Sequence, residues 1–539
     1  MVDGDFLSTT WHKVDKSYRR PPTLATFRNG TAGEDWQNQI APPPIALGSG
    51  IAPGWIFLAA FGLKSLLKTA PGSSTPFASM KITMSSLKLR TTVLLAWATC
   101  SLGAAARAGL FQDDDTVCFL GDSITAGGRY QNLIADYYLT RFPERTVRFI
   151  NAGRSGDSAG GALGRLKEDV IDKKPAAVTI MLGMNDVSRG SYVANPAEKQ
   201  KAAQEQAFRW YRENMEKLVA RIRAEAGEPK LWFLTPSPFD QTVVLEKDNN
   251  QPGCNDGLGR CAAFVRELAA KNKGTVVDFH GPMTALNLEQ QKKDPKWTIV
   301  GPDRVHPGAP GHLMMAWLFL KTQGAPSLVS KVALDGASGH AVGSENAEVT
   351  SVAKNEGGVS FTVLEKALPF PIDPAAKPVM DVIPVEKDLN QELLSVSGLA
   401  MGAYELKIDG AAVGRYPAEE LARGINLAFN ESTPQFKQAQ AVARLMEQRR
   451  DAEAQACSLL NTRRWMQSHY KINPDDPAAV KAHYESFQNK SEYSAAMALV
   501  YMKKWSQYGE LLLQVKAREH EALMARKPIS HRFEICALR

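Results

Sequence analysis

The chain has 539 residues, 44% of them hydrophobic and 22% charged, and a formal net charge of +7. That balance excludes a disordered chain, and the length leaves room for two or three domains. Lys and Arg are interspersed with Asp and Glu rather than gathered into a basic stripe, so no nucleic-acid partner is expected.

Residues 1–79 form an irregular extension rich in Pro, Gly, Ser and Thr, with an apolar run at Ile51 to Leu67 broken by Pro53 and Lys64. From Met80 or Met84 a basic stretch (Lys81, Lys88, Arg90) leads into an apolar stretch, Thr91 to Leu102, and then to Ala106-Arg107-Ala108. This is the order of a secretory signal, so residues 80–108 are expected to be a signal peptide cleaved after Ala108, with translation starting at Met80 or Met84. A secreted or periplasmic location follows, without stable membrane insertion once the signal is removed. Cys254 and Cys261 stand close together in what reads as a loop, and a local disulfide between them is plausible in an oxidising compartment. Cys118, inside an apolar run, is expected to be an inert buried thiol.

Residues 109–325 read as one α/β domain. Apolar runs at Val117 to Leu120, Val147 to Ile150, Val178 to Leu182, Leu231 to Leu234 and Val276 to Phe279 alternate with helical patterns. Short buried strands with crossover helices predict a five-stranded parallel sheet covered on both faces. Tyr130, Leu133, Ile134 and Tyr137 mark one helix, and Phe208, Tyr211, Met215, Leu218 and Ile222 mark another. Residues 326–430 read as a β-rich accessory unit, with a hairpin turn at Asp409-Gly410. Residues 431–539 read as mainly helical, with Trp465, Tyr470, Trp505 and Tyr508 expected to form a packing face.

Open parallel sheets bind ligands beyond the carboxyl ends of their strands. There stand Gly121-Asp122-Ser123 after the first run, Asn151-Ala152-Gly153-Arg154-Ser155-Gly156-Asp157-Ser158 after the second, and Gly183-Met184-Asn185-Asp186 after the third. Late in the domain comes Asp303-Arg304-Val305-His306. A serine needs a base to become a nucleophile and the base needs an orienting group, and a spacing of three residues can bring an Asp against a His. The backbone N–H groups of Ser123 and Gly156 and the side-chain amide of Asn185 can converge on a tetrahedral oxyanion. Gly156-Asp157-Ser158 repeats the first motif, but Ser158 lies within a loop, whereas Ser123 directly follows a strand. Arg129 and Arg154 could contact substrate, although a solvated surface role is the stronger reading for each, and His280 and His312 lack any partner pattern.

These four blocks resemble the SGNH hydrolases, also called GDSL-type esterases and lipases. The resemblance covers about residues 116–322 and implies a flavodoxin-like, three-layer fold. It also implies Ser123 as nucleophile, His306 as base and Asp303 as its orienter, with Ser123, Gly156 and Asn185 as oxyanion donors and Asp122 and Asp186 in support. The expected activity is hydrolysis of carboxylic esters through an acyl-enzyme, without cofactor or metal, on a small-molecule or polysaccharide ester. Short acyl groups on carbohydrates suit a secreted enzyme with extra units. The alternatives are a lipase or lysophospholipase, or a carbohydrate-binding protein with little turnover. Oligomeric state is not legible.

Overall fold

The computed structural model describes residues 109–355, 357–487 and 492–538. The chain divides into two units, Met1–Cys100 and Ser101–Arg539, and the described residues belong to the second. The extension and the signal-like segment of residues 80–108 lie outside them. Among the described residues, no helix is long and apolar enough to cross a membrane.

Five strands, β1 (Thr116–Gly121), β2 (Arg148–Gly153), β3 (Ala177–Met181), β4 (Lys230–Leu234) and β5 (Thr275–Val277), form a parallel sheet in the order β2-β1-β3-β4-β5. The period of two sorts β1 between two cores: Val117 and Phe119 face one layer, Cys118 and Leu120 the other. The first layer holds α2 (Arg129–Arg141), which follows the single turn α1 (Ser123–Ala126), and α7 (Ala309–Thr322). The second holds α3 (Ala159–Asp169), α4 (Glu198–Glu225) and α5 (Cys254–Lys271). Tyr130, Ile134, Leu313 and Phe319 fill one core and Tyr211, Met215, Leu218 and Ile222 the other. Each such side chain contributes about 1.5–3 kcal/mol by leaving water. This is the three-layer α/β fold that the spaced motifs imply.

The last strand is shorter than its apolar run. Thr235 Oγ1 accepts from the amides of Phe279 and His280 at 2.8 and 2.9 Å, which turns the chain out of the sheet into α6 (His280–Gln291). The expected loop around Cys254 is also different, because both cysteines lie on α5. Two helical turns separate their backbones by about 10 Å, beyond the span of a disulfide. Both thiols are free and buried.

Two further sheets pack face to face. One has the order β13-β10-β6-β7, and the other β12-β11-β14-β9-β8. The first is built from β6 (Leu328–Asp335), β7 (His340–Glu345), β10 (Gln391–Ser397) and β13 (Ile425–Asn426). The second is built from β8 (Ala347–Asn355), β9 (Gly358–Glu365), β11 (Ala403–Ile408), β12 (Ala411–Pro417) and β14 (His531–Ala537). Asp409 and Gly410 both take positive φ, +51° and +80°, the geometry of the tight β11–β12 hairpin. Val332, Leu394, Phe361, Leu406 and Phe533 form the core between these sheets. Strand β14, from the end of the chain, inserts between β9 and β11.

Between β14 and the rest of this sandwich the chain forms α8 (Pro434–His469), α9 (Pro477–Phe487), α10 (Glu492–Lys504) and α11 (Tyr508–Ala525). Trp505 stacks on Tyr501 and Tyr508, and Trp465 meets Tyr470 edge-on, so these aromatics do form a packing face. Helix α8 also docks on the α/β layer. Val442 and Met446 pack with Ala135 and Leu139 of α2, and Arg464 pairs with Glu168 and Asp169 of α3 at 2.7 and 3.1 Å.

Candidate active site

Strand β1 ends in a turn that only glycine fits. A Cβ on Gly121 would fall 2.2 Å from Thr125 Oγ1 and 2.8 Å from the Met181 carbonyl. Asp122 then caps α1, its Oδ1 accepting from the Ile124 amide at 3.0 Å, and Ser123 follows at the first helical position. Burial pushes the Asp122 carboxyl up to about 6, against the pull of that amide and of the nearby His306.

Ser123 Oγ lies 2.7 Å from His306 Nε2, and His306 Nδ1 lies 2.5 Å from Asp303 Oδ2. With the ring proton held between Nδ1 and Asp303, Nε2 is left to accept the serine proton. Burial would raise the Asp303 carboxyl, but hydrogen bonds from the His306 ring and amide and from the Val305 amide outweigh it and hold Asp303 at about 2. His306 and Asp303 are both exposed, so the site opens to solvent. The sequence thus names three residues that the fold brings into one hydrogen-bonded line.

The second loop supplies Gly156, whose φ of +76° suits glycine although a Cβ would meet nothing. In the third, the Asn185 side-chain amide donates to the Asp157 carbonyl at 2.9 Å, which leaves its second N–H for a ligand. The backbone N–H groups of Ser123 and Gly156 have no acceptor among the described residues. Asp186 ties the third loop to the second by accepting from the Ala159 amide at 2.9 Å, while its Oδ2 is buried without a partner. Burial, together with the neighbouring Asp122 and Asp157, pushes its carboxyl up to about 7. Ser158, in the repeated Gly-Asp-Ser, serves as the N-cap of α3, accepting from the Gly161 amide at 3.2 Å.

Two arginines that sequence reasoning missed hold these loops in place. Buried Arg165 donates to the carbonyls of Gly121 and Ala152 at 3.1 and 2.8 Å and pairs with Asp157 at 2.7 Å, so it clamps the ends of β1 and β2 together. Arg304, between Asp303 and His306, has a φ of +65° and is buried. Its guanidinium donates to the carbonyls of Asp240 and Val243 at 2.9 and 2.8 Å and to Asn249 Oδ1 at 2.8 Å. The Gly301 amide closes the turn on the His306 carbonyl at 2.7 Å. The one available signal was proximity in sequence to the motifs.

His280 and His312 stay outside the line. His280 Nε2 is bonded to Asn255, and buried His312 stacks on Tyr130. Cys118 is a buried core thiol pushed up to about 12 by burial. Among the described residues, no group of three or more His, Cys, Asp or Glu is placed to hold a metal.

Residues 119–314 match the model of the GDSL-like lipase/acylhydrolase family. An acetylxylan esterase of Geobacillus stearothermophilus is 25% identical over 225 residues, which is 39% of this chain and 94% of that esterase. The solved structure of a gut microbial diltiazem-metabolizing enzyme is 29% identical, with a TM-score of 0.73, over 80% of this chain and 99% of the other. A crystal structure of the Geobacillus stearothermophilus acetylxylan esterase aligns at 26% identity and a TM-score of 0.31, over 40% of this chain and 95% of that one.

Proposed function

Residues 119–314 form a GDSL-like lipase/acylhydrolase domain, an ester hydrolase module, and from that premise we propose that the chain is a serine esterase whose nucleophile is Ser123. The observation that carries this reading is the line Ser123–His306–Asp303, with contacts of 2.7 and 2.5 Å, at the carboxyl edge of the sheet. Ser123 Oγ attacks the ester carbonyl carbon while its proton passes to His306 Nε2. The charge that develops on the carbonyl oxygen is met by the Ser123 and Gly156 amides and by Asn185. Collapse breaks the carbon–oxygen bond, His306 returns the proton to the leaving alcohol, and the acyl group stays on Ser123. A water molecule then gives its proton to His306 and attacks the acyl carbon, which releases the acid and restores Ser123.

The substrates in this reading are short acyl, chiefly acetyl, esters on carbohydrates. The acetylxylan esterase relative supports the acetyl group, and the exposure of His306 and Asp303 supports a bulky alcohol portion. The signal-like segment at residues 80–108 makes action outside the cytoplasm part of the same reading. The organisation is an α/β domain at 109–325, a β-rich unit at 326–430 and a helical region at 431–539. The likeness to the gut microbial enzyme, which extends over 80% of the chain, supports the accessory regions as regular parts of this architecture.

The test is Ser123→Ala assayed on a chromogenic short-chain ester. Hydrolysis should disappear while the circular dichroism spectrum and melting temperature are kept. Undiminished turnover by the folded variant overturns the assignment.

A further inference from the structure

Most arginines of the described region are bound to something. The side chains of Arg129, Arg148, Arg154, Arg189, Arg423 and Arg444 make no hydrogen bond, ion pair or ring contact among the described residues. Four of these are exposed, where water satisfies a guanidinium at no cost. Arg154 and Arg189 are different because they are half-buried and yet bonded to no protein group.

Their positions are not scattered. Arg154 lies two residues before Gly156, and its backbone amide donates to the Gly121 carbonyl at 3.0 Å, which places it beside the turn that carries Ser123. Arg189 lies four residues after Asn185 and opens a single 3-10 turn, Arg189–Ser191, entered through Ser188 at φ +56°. Each of the two loops therefore carries one partly buried arginine whose side chain has no bonded partner among the described residues.

A structural duty would show as a bond, and neither side chain bonds to an acid beside it. Asp157 is paired with Arg165 at 2.7 Å and Asp122 accepts from the Ile124 amide at 3.0 Å. Arg154 and Arg189 reach these carboxylates only through space. A guanidinium is a planar fork of donors that matches a carboxylate in a bidentate pair. Two of them on the loops that carry Gly156 and Asn185 fit an ester whose alcohol portion is itself an acid.

We propose that Arg154 and Arg189 receive a carboxylate borne next to the scissile ester, so that the favoured substrates are acyl esters of anionic molecules, acetylated uronic-acid saccharides within the carbohydrate class. This rests on the reading of Ser123 as an esterase nucleophile. The arginines are substrate-positioning groups and take no part in proton transfer. Cationic walls also concentrate an anionic substrate from solution, an effect that salt weakens.

The experiment compares the full chain on three probes: an acetylated galacturonate oligosaccharide, an acetylated xylo-oligosaccharide, and a neutral chromogenic acetate. The galacturonate should give the highest kcat/KM at low salt, and that advantage should shrink as salt is added. Arg154→Gln and Arg189→Gln should each lower kcat/KM on the galacturonate by about tenfold to a hundredfold, the loss expected for a hydrogen bond to a charged group. The loss should fall mainly in KM and exceed the loss on the neutral acetate, and Arg189→Lys should restore part of it. Melting temperatures check that the variants fold. Hydrolysis of neutral esters with no galacturonate preference, or equal losses on anionic and neutral probes, overturns the proposal and leaves the esterase reading standing. Absence of turnover on every ester sinks both.

Discussion

Asp186 links the stability of the site to pH in a way that one substitution isolates. Its Oδ1 holds the Ala159 amide while its Oδ2 is buried without a partner, and burial beside Asp122 and Asp157 raises its carboxyl from 3.8 to about 7. A carboxyl raised in the folded state binds a proton that the unfolded chain has released. Its contribution is therefore fully present below pH 3.8 and is lost as pH rises, the loss being complete once pH has passed about 7. At about 1.4 kcal/mol per pH unit, that interval corresponds to on the order of 4 kcal/mol. Asp186→Asn keeps the acceptor for Ala159 but cannot ionise. The assay is urea denaturation of both proteins from pH 4 to pH 9. The free energy of unfolding of the wild type should fall with pH more than that of the variant, the gap widening by up to about 4 kcal/mol. Asp122, raised to about 6 by burial, adds a slope of the same sign that both proteins share. Parallel pH profiles for the two proteins would refute the reasoning, because Asp186 would then titrate alike in both states.

Under the proposed role of Asn185 as an oxyanion donor, Asn185→Ala should cost on the order of a hundredfold in kcat with little change in KM, as measured on a chromogenic acetate. Loss in KM alone would place Asn185 in ground-state binding. Arg304→Gln strips two buried carbonyls and Asn249 of a charged donor, so denaturation should report a loss of about 2–4 kcal/mol. kcat should fall with it because the Asp303–His306 turn loosens, and an unchanged stability would show that the turn does not depend on this anchor. Cys254 and Cys261, both pushed up by burial, should resist iodoacetamide at pH 8 in the folded protein and react once it is unfolded. Rapid labelling of the native protein would contradict their place in the core.

The parts of the molecule that could be read from sequence are those governed by local periodicity or by short motifs. The β1 run shows its strand because Val117 to Leu120 is wholly apolar, and the Asp409-Gly410 hairpin shows itself because few other pairs accept two positive φ angles. Gly121 to Ser123, Gly156 and Asn185 could be singled out because they stand in the turns after β1, β2 and β3, and Asp303 with His306 because a spacing of three residues can bring an Asp against a His. Arg165 and Arg304 were not, since what they bind is backbone carbonyl, which has no residue identity to recognise. Strand β14 was hidden for a related reason. His531 to Ala537 acquires its meaning only by pairing with β9 and β11, more than a hundred residues earlier. The Cys254–Cys261 segment misled because its glycines and Asn suggest a loop, while tertiary packing of Leu258, Phe264 and Leu268 keeps it helical.

The central claim is that Ser123, and not its counterpart Ser158, is the nucleophile. A fluorophosphonate probe followed by peptide mapping tests it most directly. One label on Ser123, abolished by Ser123→Ala and slowed by His306→Ala, is the result this account predicts; a label on Ser158, or none on a folded chain that hydrolyses esters, would contradict it.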